Sequence, residues 1–392
     1  MVQKIEYKPR SVREFLTEMK DTSDLMVDLA YASLLFESAE LADQVYGLER
    51  RMDDLMYRIR IMAAVAARNV QEAQKITGIL QVASAAEAIS NATGDIADLV
   101  RRRVKIHPAI YDAIRKADEK IEGVEVAEGS ILAGKRLHEL RLPSSIGVWI
   151  LARRRGKEWA TSLARDADIL VGDVLVAKGP IDGVESLRRM AGKWKKPPVV
   201  GNELPSIRDA LAKMKDLSSF AVDLAYMSIL LGSREVAEEV RELEEEFDRL
   251  NYKLWLATLT AAARLESDVS KLNSVLQVVK CMEKISDAAD SIADVVLRGL
   301  ELHPVFARAI AESDEQIARV DIPKRSPFVG KTLRELDLWA RMGAYTLLIK
   351  RGRRHIFDPS RETHVRGGDV LVVRGTYYGV EKLKKEATRA SR

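Results

Sequence analysis

Val27-Asp-Leu-Ala-Tyr31 recurs letter for letter as Val222-Asp-Leu-Ala-Tyr226, 195 residues further along the chain. Around this pentapeptide, segments 11–57 and 206–252 share 23 identities in 47 positions. One inserted residue then shifts the offset to 196. At that offset His107-Pro108 matches His303-Pro304, Gly134-Lys135 matches Gly330-Lys331, Gly172-Asp173 matches Gly368-Asp369, and Gly179 matches Gly375. A period this long exceeds any solenoid unit, so it marks the duplication of whole domains.

Glycine divides each half again. Of the 22 glycines, 15 lie in 122–190 and 319–386. Glycine serves turns and weakens helix interiors, so each half should begin helical and end turn-rich. In the helical parts, Ser11-x-x-Glu14 and Ser206-x-x-Asp209 sit where a capping pair opens a helix. Phe15, Met19, Met26, Leu29 and Ser33 follow at helical spacing, and Leu41, Val45, Leu48, Met52, Leu55 and Ile59 form a second apolar stripe. A third helix, rich in small residues such as Ser84, Ala85 and Ala88, runs from about Glu72 to Arg103, and His107-Pro108 marks its end. Three long antiparallel helices and a short fourth make a bundle.

The later parts carry short β-prone runs, Ile146–Ala152 with Val174–Val176 and Ala344–Ile349 with Val370–Val373. Arg155-Gly156 and Arg351-Gly352 are turn candidates, and amphipathic helices around 184–190 and 380–385 close each unit. The fold class is therefore mainly α with α+β: helical bundles at 10–120 and 206–316 alternate with small α+β domains at 121–191 and 317–387. A linker at 192–205 carries Lys195-Lys196-Pro197-Pro198.

The 392 residues, 47% hydrophobic and 31% charged, suit two to four globular domains. Lys and Arg number 63 against 59 Asp and Glu, a balance that speaks against a nucleic-acid partner. A single cysteine, Cys281, excludes an intrachain disulfide and fits a reducing interior. No run is long and apolar enough for a membrane span, and the first residues lack a signal-peptide core, so the expected location is the cytoplasm. Nothing pairs a nucleophile with a base, and no redox motif occurs; the expectation is not an enzyme. Gly330-Lys331-Thr332 lacks the upstream glycine of a phosphate loop, since Arg325 stands there, and reads instead as the opening of a short helix.

Each helical part resembles the PhoU family, whose bundles carry E/D-x-x-x-D motifs. The matching residues are Glu49 and Asp53 in the first copy, with Glu244 and Asp248 and with Glu283 and Asp287 in the second. In the first copy Glu87 is followed four residues on by Asn91, a departure from the pattern. The resemblance implies a divalent or transition metal on these carboxylates. Read without it, they form a solvated acidic face neutralised by Arg50, Arg51 and Arg241.

Each α+β part resembles the TrkA C-terminal domain (RCK_C), a ligand-sensing module of potassium-transport regulators. The resemblance rests on Gly134–Leu140 and Gly330–Leu336, on Arg153-Arg-Arg-Gly156 and Lys350-Arg-Gly352, and on Gly172–Gly179 and Gly368–Gly375. It implies a small anionic or nucleotide-type effector bound between paired copies. The basic candidates are Arg153, Arg154 and Arg155 with Lys350, Arg351 and Arg353, whose forks match phosphate geometry. The alternative is that these charges keep an exposed turn soluble.

The combination points to a regulator acting on a membrane ion transporter or channel subunit, with its two sensors able to pair inside one chain. A homodimer through the alanine-rich helices is expected as well, although such a stripe fits internal packing and assembly alike. A metal-binding adaptor in phosphate transport and a scaffold with degenerate sites stand as alternatives.

Overall fold

The computed structural model describes residues 11–161, 163–193, 204–264, 268–300, 305–352 and 354–389. In the first half, α1 (Val12–Leu35), α2 (Ala39–Ala66), α3 (Val70–Arg101) and α4 (Pro108–Lys116) precede β1 (Lys120–Val126), α5 (Leu137–Leu140) and α6 (Leu142–Ile146). Next come β2 (Trp149–Arg155), β3 (Glu158–Thr161), β4 (Val174–Gly179), α7 (Ile181–Ala191) and β5 (Gly192–Lys193). The second half repeats the order. It has α8 (Pro205–Leu231), α9 (Arg234–Ala263), α10 (Val269–Leu297), α11 (Val305–Glu312), β6 (Gln316–Asp321), α12 (Leu333–Leu336) and α13 (Leu338–Met342). It closes with β7 (Ala344–Arg351), β8 (Arg354–Phe357), β9 (Val370–Gly375) and α14 (Tyr377–Thr388). The chain folds as two compact units: the two helical parts form one, with 118 and 313 as their last residues, and the two α+β parts form the other.

In the helical unit, α1 opens as expected, with the Ser11 hydroxyl accepting from the Glu14 N–H and the Glu14 carboxylate accepting from the Ser11 N–H. The second copy differs. Here Pro205 takes the first helical position and Leu204 is the cap residue at φ +51°, so Ser206 lies inside the first turn. The His107-Pro108 pair also differs from its expected role. The third helix ends at Arg101; His107 is the cap of α4, its Nδ1 accepting from the Ala109 N–H, with Pro108 first in the helix. The matching His303-Pro304 lies outside the described residues.

The apolar stripes read from the sequence line the core. Phe15, Met26, Leu29, Leu55 and Ile59 are almost wholly shielded from solvent, each contributing roughly 1.5–3 kcal/mol of burial. Each trio of long helices packs together, and the short helices cross over: α4 packs chiefly on α8, and α11 on α1. The alanine-rich helices α3 and α10 run antiparallel against each other, tied by Gln81 to the Ser291 carbonyl at 2.7 Å and by Lys284 to Asp95 at 2.6 Å. The close-approach surface expected to join two chains thus joins two copies inside one.

In the α+β unit, the first sheet has the order β3-β2-β4-β1-β5 and the second β6-β9-β7-β8, with every pairing antiparallel. Both carry an irregularity at one equivalent place, between Ile150 and Ala152 and between Thr346 and Leu348. Ile146 ends α6, so the strand expected from that residue begins at Trp149. Each domain has its own core, with Val124, Leu175 and Leu187 in one and Val320, Leu371 and Leu383 in the other. Gly156 and Gly352, both at φ +62°, turn the two hairpins as predicted. Of the expected linker, residues 194–203 fall outside the described residues.

Candidate functional site

The basic hairpins hold their central arginines in an internal clamp. Asp173 follows the Gly172 turn and is almost fully shielded. Both its oxygens accept from the Arg155 fork at 2.8 Å, and one also accepts from the Leu170 N–H at 2.8 Å. Arg351 and Asp369 repeat this arrangement at 2.9 and 2.8 Å, with the Arg366 N–H as third donor. Burial alone would raise both carboxyls. The guanidinium bonds and the backbone donors outweigh it and hold them below the usual aspartate range. Arg155 and Arg351 therefore fasten β2 and β7 to the turns before β4 and β9.

The other candidates differ. Arg153 donates to the Asp168 carbonyl at 2.9 Å, and Arg154 is exposed with its guanidinium 5.7 Å from the centre of the Trp159 ring. Lys350 is exposed, and Arg353 lies outside the described residues. The sequence grouped these residues by adjacency, but strand alternation sends neighbours to opposite faces.

The two α+β domains meet face to face, in contacts the sequence reading did not single out. Helix α6 packs on α13. Gly147, at φ +67°, lies so close to Trp339 that a Cβ would meet its carbonyl oxygen at 2.6 Å; Gly343, at φ +63°, is pressed in the same way on the Pro143 carbonyl. Four charges cross this face. Lys178 pairs with Glu315 at 2.5 Å, and Arg374 reaches Glu119 at 3.3 Å and Glu315 at 3.4 Å, with all four side chains largely shielded. Residues 178 and 374 are equivalent at the 196 offset, as are 119 and 315; that repeat of sign was the available signal. Trp339 stacks edge-on with Tyr345, and Arg141 donates to the Tyr378 hydroxyl at 3.3 Å.

On the bundles, Glu49 of α2 rests against Gly94 of α3, where a Cβ would come within 2.7 Å of its carboxylate. Burial, then the charges of Asp53, Asp95 and Asp98, push Glu49 up to about 7. Glu244 is pushed up to about 7 by burial and by Asp248, Asp290 and Asp287. Asp287 is raised by burial and by Glu283. The structure thus brings each acidic motif beside a neighbouring helix. Arginines answer much of this charge: Arg241 spans Asp290 and Asp294, Arg101 spans Asp43 and Asp98, and Arg60 meets Glu87. Among the described residues no group of three or more carboxylate, histidine or cysteine side chains is arranged to hold a metal ion.

Comparison with known families identifies both kinds of module twice. The PhoU domain profile matches residues 16–100 and 211–296, and the TrkA-C domain profile matches 121–192 and 317–388. Among solved structures, PhoU from Pseudomonas aeruginosa is similar at 14% identity, covering 74% of this chain and 96% of that one with a TM-score of 0.41. The phosphate transport system regulatory protein PhoU from Streptococcus pneumoniae is similar at 12% identity, covering 74% and 93%, also at 0.41. The GsuK RCK domain is similar at 13% identity, covering 78% of each chain at 0.19. A comparison with curated proteins finds no significant match.

Proposed function

Because the chain consists of two PhoU domains alternating with two TrkA-C domains, both regulatory modules linked to ion transport, we propose that it governs a membrane cation transporter of the potassium type. An anionic, nucleotide-type effector would be read at the paired TrkA-C domains. The observation that carries this reading is the reciprocal face between those domains, built from Gly147 on Trp339 and Gly343 on Pro143 inside one chain. A ligand spanning such a face biases the relation of its two sides, provided it binds two arrangements with different affinity. Among the described hairpin residues, Arg154 and Lys350 are exposed and available to meet a phosphate, whereas Arg155 and Arg351 are engaged by Asp173 and Asp369. Among the described residues no helix is long and apolar enough to cross a membrane, so a membrane-embedded partner would carry the transport.

Calorimetric titration with nucleotides and cyclic dinucleotides tests the reading. Binding that weakens in Arg154→Gln plus Lys350→Gln supports it. A complete absence of binding across the series removes its basis.

The second reading is a metal-binding adaptor in phosphate transport. It is favoured by Glu49 and Glu244, equivalent residues pushed up to about 7 in both copies, as crowded carboxylates are. It requires the acidic faces to rearrange around a cation. Elemental analysis of purified protein decides it: stoichiometric iron, zinc or manganese, lost in Glu244→Ala plus Asp248→Ala, would favour the adaptor.

A further inference from the structure

Each half of the chain passes from its PhoU domain to its TrkA-C domain through a short helix and a glutamate, and both ends of that passage are fastened to the other half. In the helical unit, α4 packs on α8, and Lys116 in its last turn pairs with Asp209 at 3.0 Å. The Asp118 N–H adds a bond of 3.2 Å to Asp216. Helix α11 packs on α1: Glu312 pairs with Arg13 at 2.9 Å, and Thr17 donates to the Ala309 carbonyl at 3.2 Å. Residues 116 and 312 are equivalents of opposite charge, each meeting a partner of the sign opposite to its own.

In the TrkA-C unit, the chain enters at Glu119 and returns at 314–315, and both glutamates are held across the face. Glu119 takes Arg374 and Glu315 takes Lys178, with Arg374 of its own domain also 3.4 Å from Glu315. Glu119 stands only three positions after Lys116, and Glu315 only three after Glu312. At full extension that is about 10 Å of chain, which leaves little slack to absorb a displacement.

We propose that residues 108–119 and 305–315 are two crossed straps that couple the pairing of the TrkA-C domains to the pairing of the PhoU domains. Shifting one TrkA-C domain against the other pulls on the glutamate of the opposite half, and the pull reaches the short helix docked on the opposite bundle. The coupling rests on two elements biased together rather than on a continuous wire. It deepens the regulatory reading above and rests on it for its purpose, but its test uses no effector, so failure of effector binding leaves the test intact.

The experiment is amide hydrogen exchange on the full chain. Lys178→Met removes one cation from Glu315 while Arg374 remains, and Glu119→Gln weakens the other strap. Exchange within α11 is expected to rise roughly tenfold or more in the first variant, and within α4 in the second, with the interiors of α2 and α9 unchanged. Arg319→Gln, an exposed change in the same unit, leaves both helices as they were. If Lys178→Met folds poorly, Glu119→Gln answers alone. Unchanged exchange in the matching short helix, or an equal rise in α2 and α9, overturns the proposal.

Discussion

The Lys20 ammonium lies 5.4 Å from the centre of the Tyr226 ring, and Lys215 repeats the contact on Tyr31 at 5.3 Å. Both lysines are nearly buried, and all four residues obey the 195 offset. Reciprocity of this kind is the signature of a two-fold interface. Here the duplicated chain builds it from a single molecule. The repeated Val-Asp-Leu-Ala-Tyr thus supplies the aromatic half of the bond between the bundles.

A double-mutant cycle on Lys20→Met and Tyr226→Leu should show a coupling of about 1 kcal/mol in chemical denaturation. The cycle is needed because Lys20 also pairs with Asp24 at 2.6 Å, a contact that the single change removes as well. Coupling indistinguishable from zero would mean that the ring merely covers the ammonium.

Tyr31→Phe tests the same place from the other side. The Tyr31 hydroxyl is buried with no hydrogen-bond partner among the described residues, and burial pushes its ionisation well above the usual phenol range. Replacing an unsatisfied buried hydroxyl with hydrogen should leave stability unchanged or raise it by up to about 1 kcal/mol. A clear loss in thermal denaturation would point to a bonded hydroxyl.

Gly343→Ala should damage the TrkA-C pair. Its positive φ disfavours any side chain, and the Pro143 carbonyl occupies the space a methyl would need. A loss of about 2–3 kcal/mol is expected, since overpacking and backbone strain add. Gly156→Ala, at a similar φ but with open space around it, should cost only about 1 kcal/mol, and comparing the two melts separates strain from contact.

The acidic motifs predict a pH dependence of opposite sign to that of the clamps. Glu49 and Glu244 hold their protons to about 7, whereas an unfolded glutamate releases its proton near 4.3. The folded state binds more protons across that window, so stability falls as pH rises from about 4.5 to 7. Glu49→Gln plus Glu244→Gln should remove this decline and stabilise the protein at pH 8 by about 1 kcal/mol per site after solvent screening. Melting curves at pH 5 and pH 8 provide the measurement; an unaltered pH slope would contradict it.

Asp173 and Asp369 behave the other way. Their carboxyls are held below the usual range, so their contribution is present above about pH 4 and is lost as pH falls through the folded value. Asp173→Asn should weaken the clamp at neutral pH and flatten the acid limb of the stability curve, followed by circular dichroism from pH 6 to pH 2.

Much of the architecture was legible because it is written in local patterns. Helical spacing placed Phe15, Met19 and Met26 in a core, and clustered glycine separated turn-rich segments from helical ones. The failures were local competitions. Proline at 205 displaced the cap expected at Ser206, and Pro108 served the start of a helix rather than the end of one. The site was less legible. Adjacent arginines at 153–155 looked like one group, yet Arg155 is bound to Asp173, which is distant in sequence and reached only through strand pairing.

The amino-acid order by itself determined the duplication, the alternation of helical and glycine-rich modules, and the composition of each core, because periodicity and turn chemistry act over a few residues. The tertiary structure alone decided which copies meet. That α4 docks on the opposite bundle, and that Lys178 finds Glu315, depends on surfaces assembled from segments about ninety residues or more apart. Complementary charge and close approach between such segments leave no trace in local spacing.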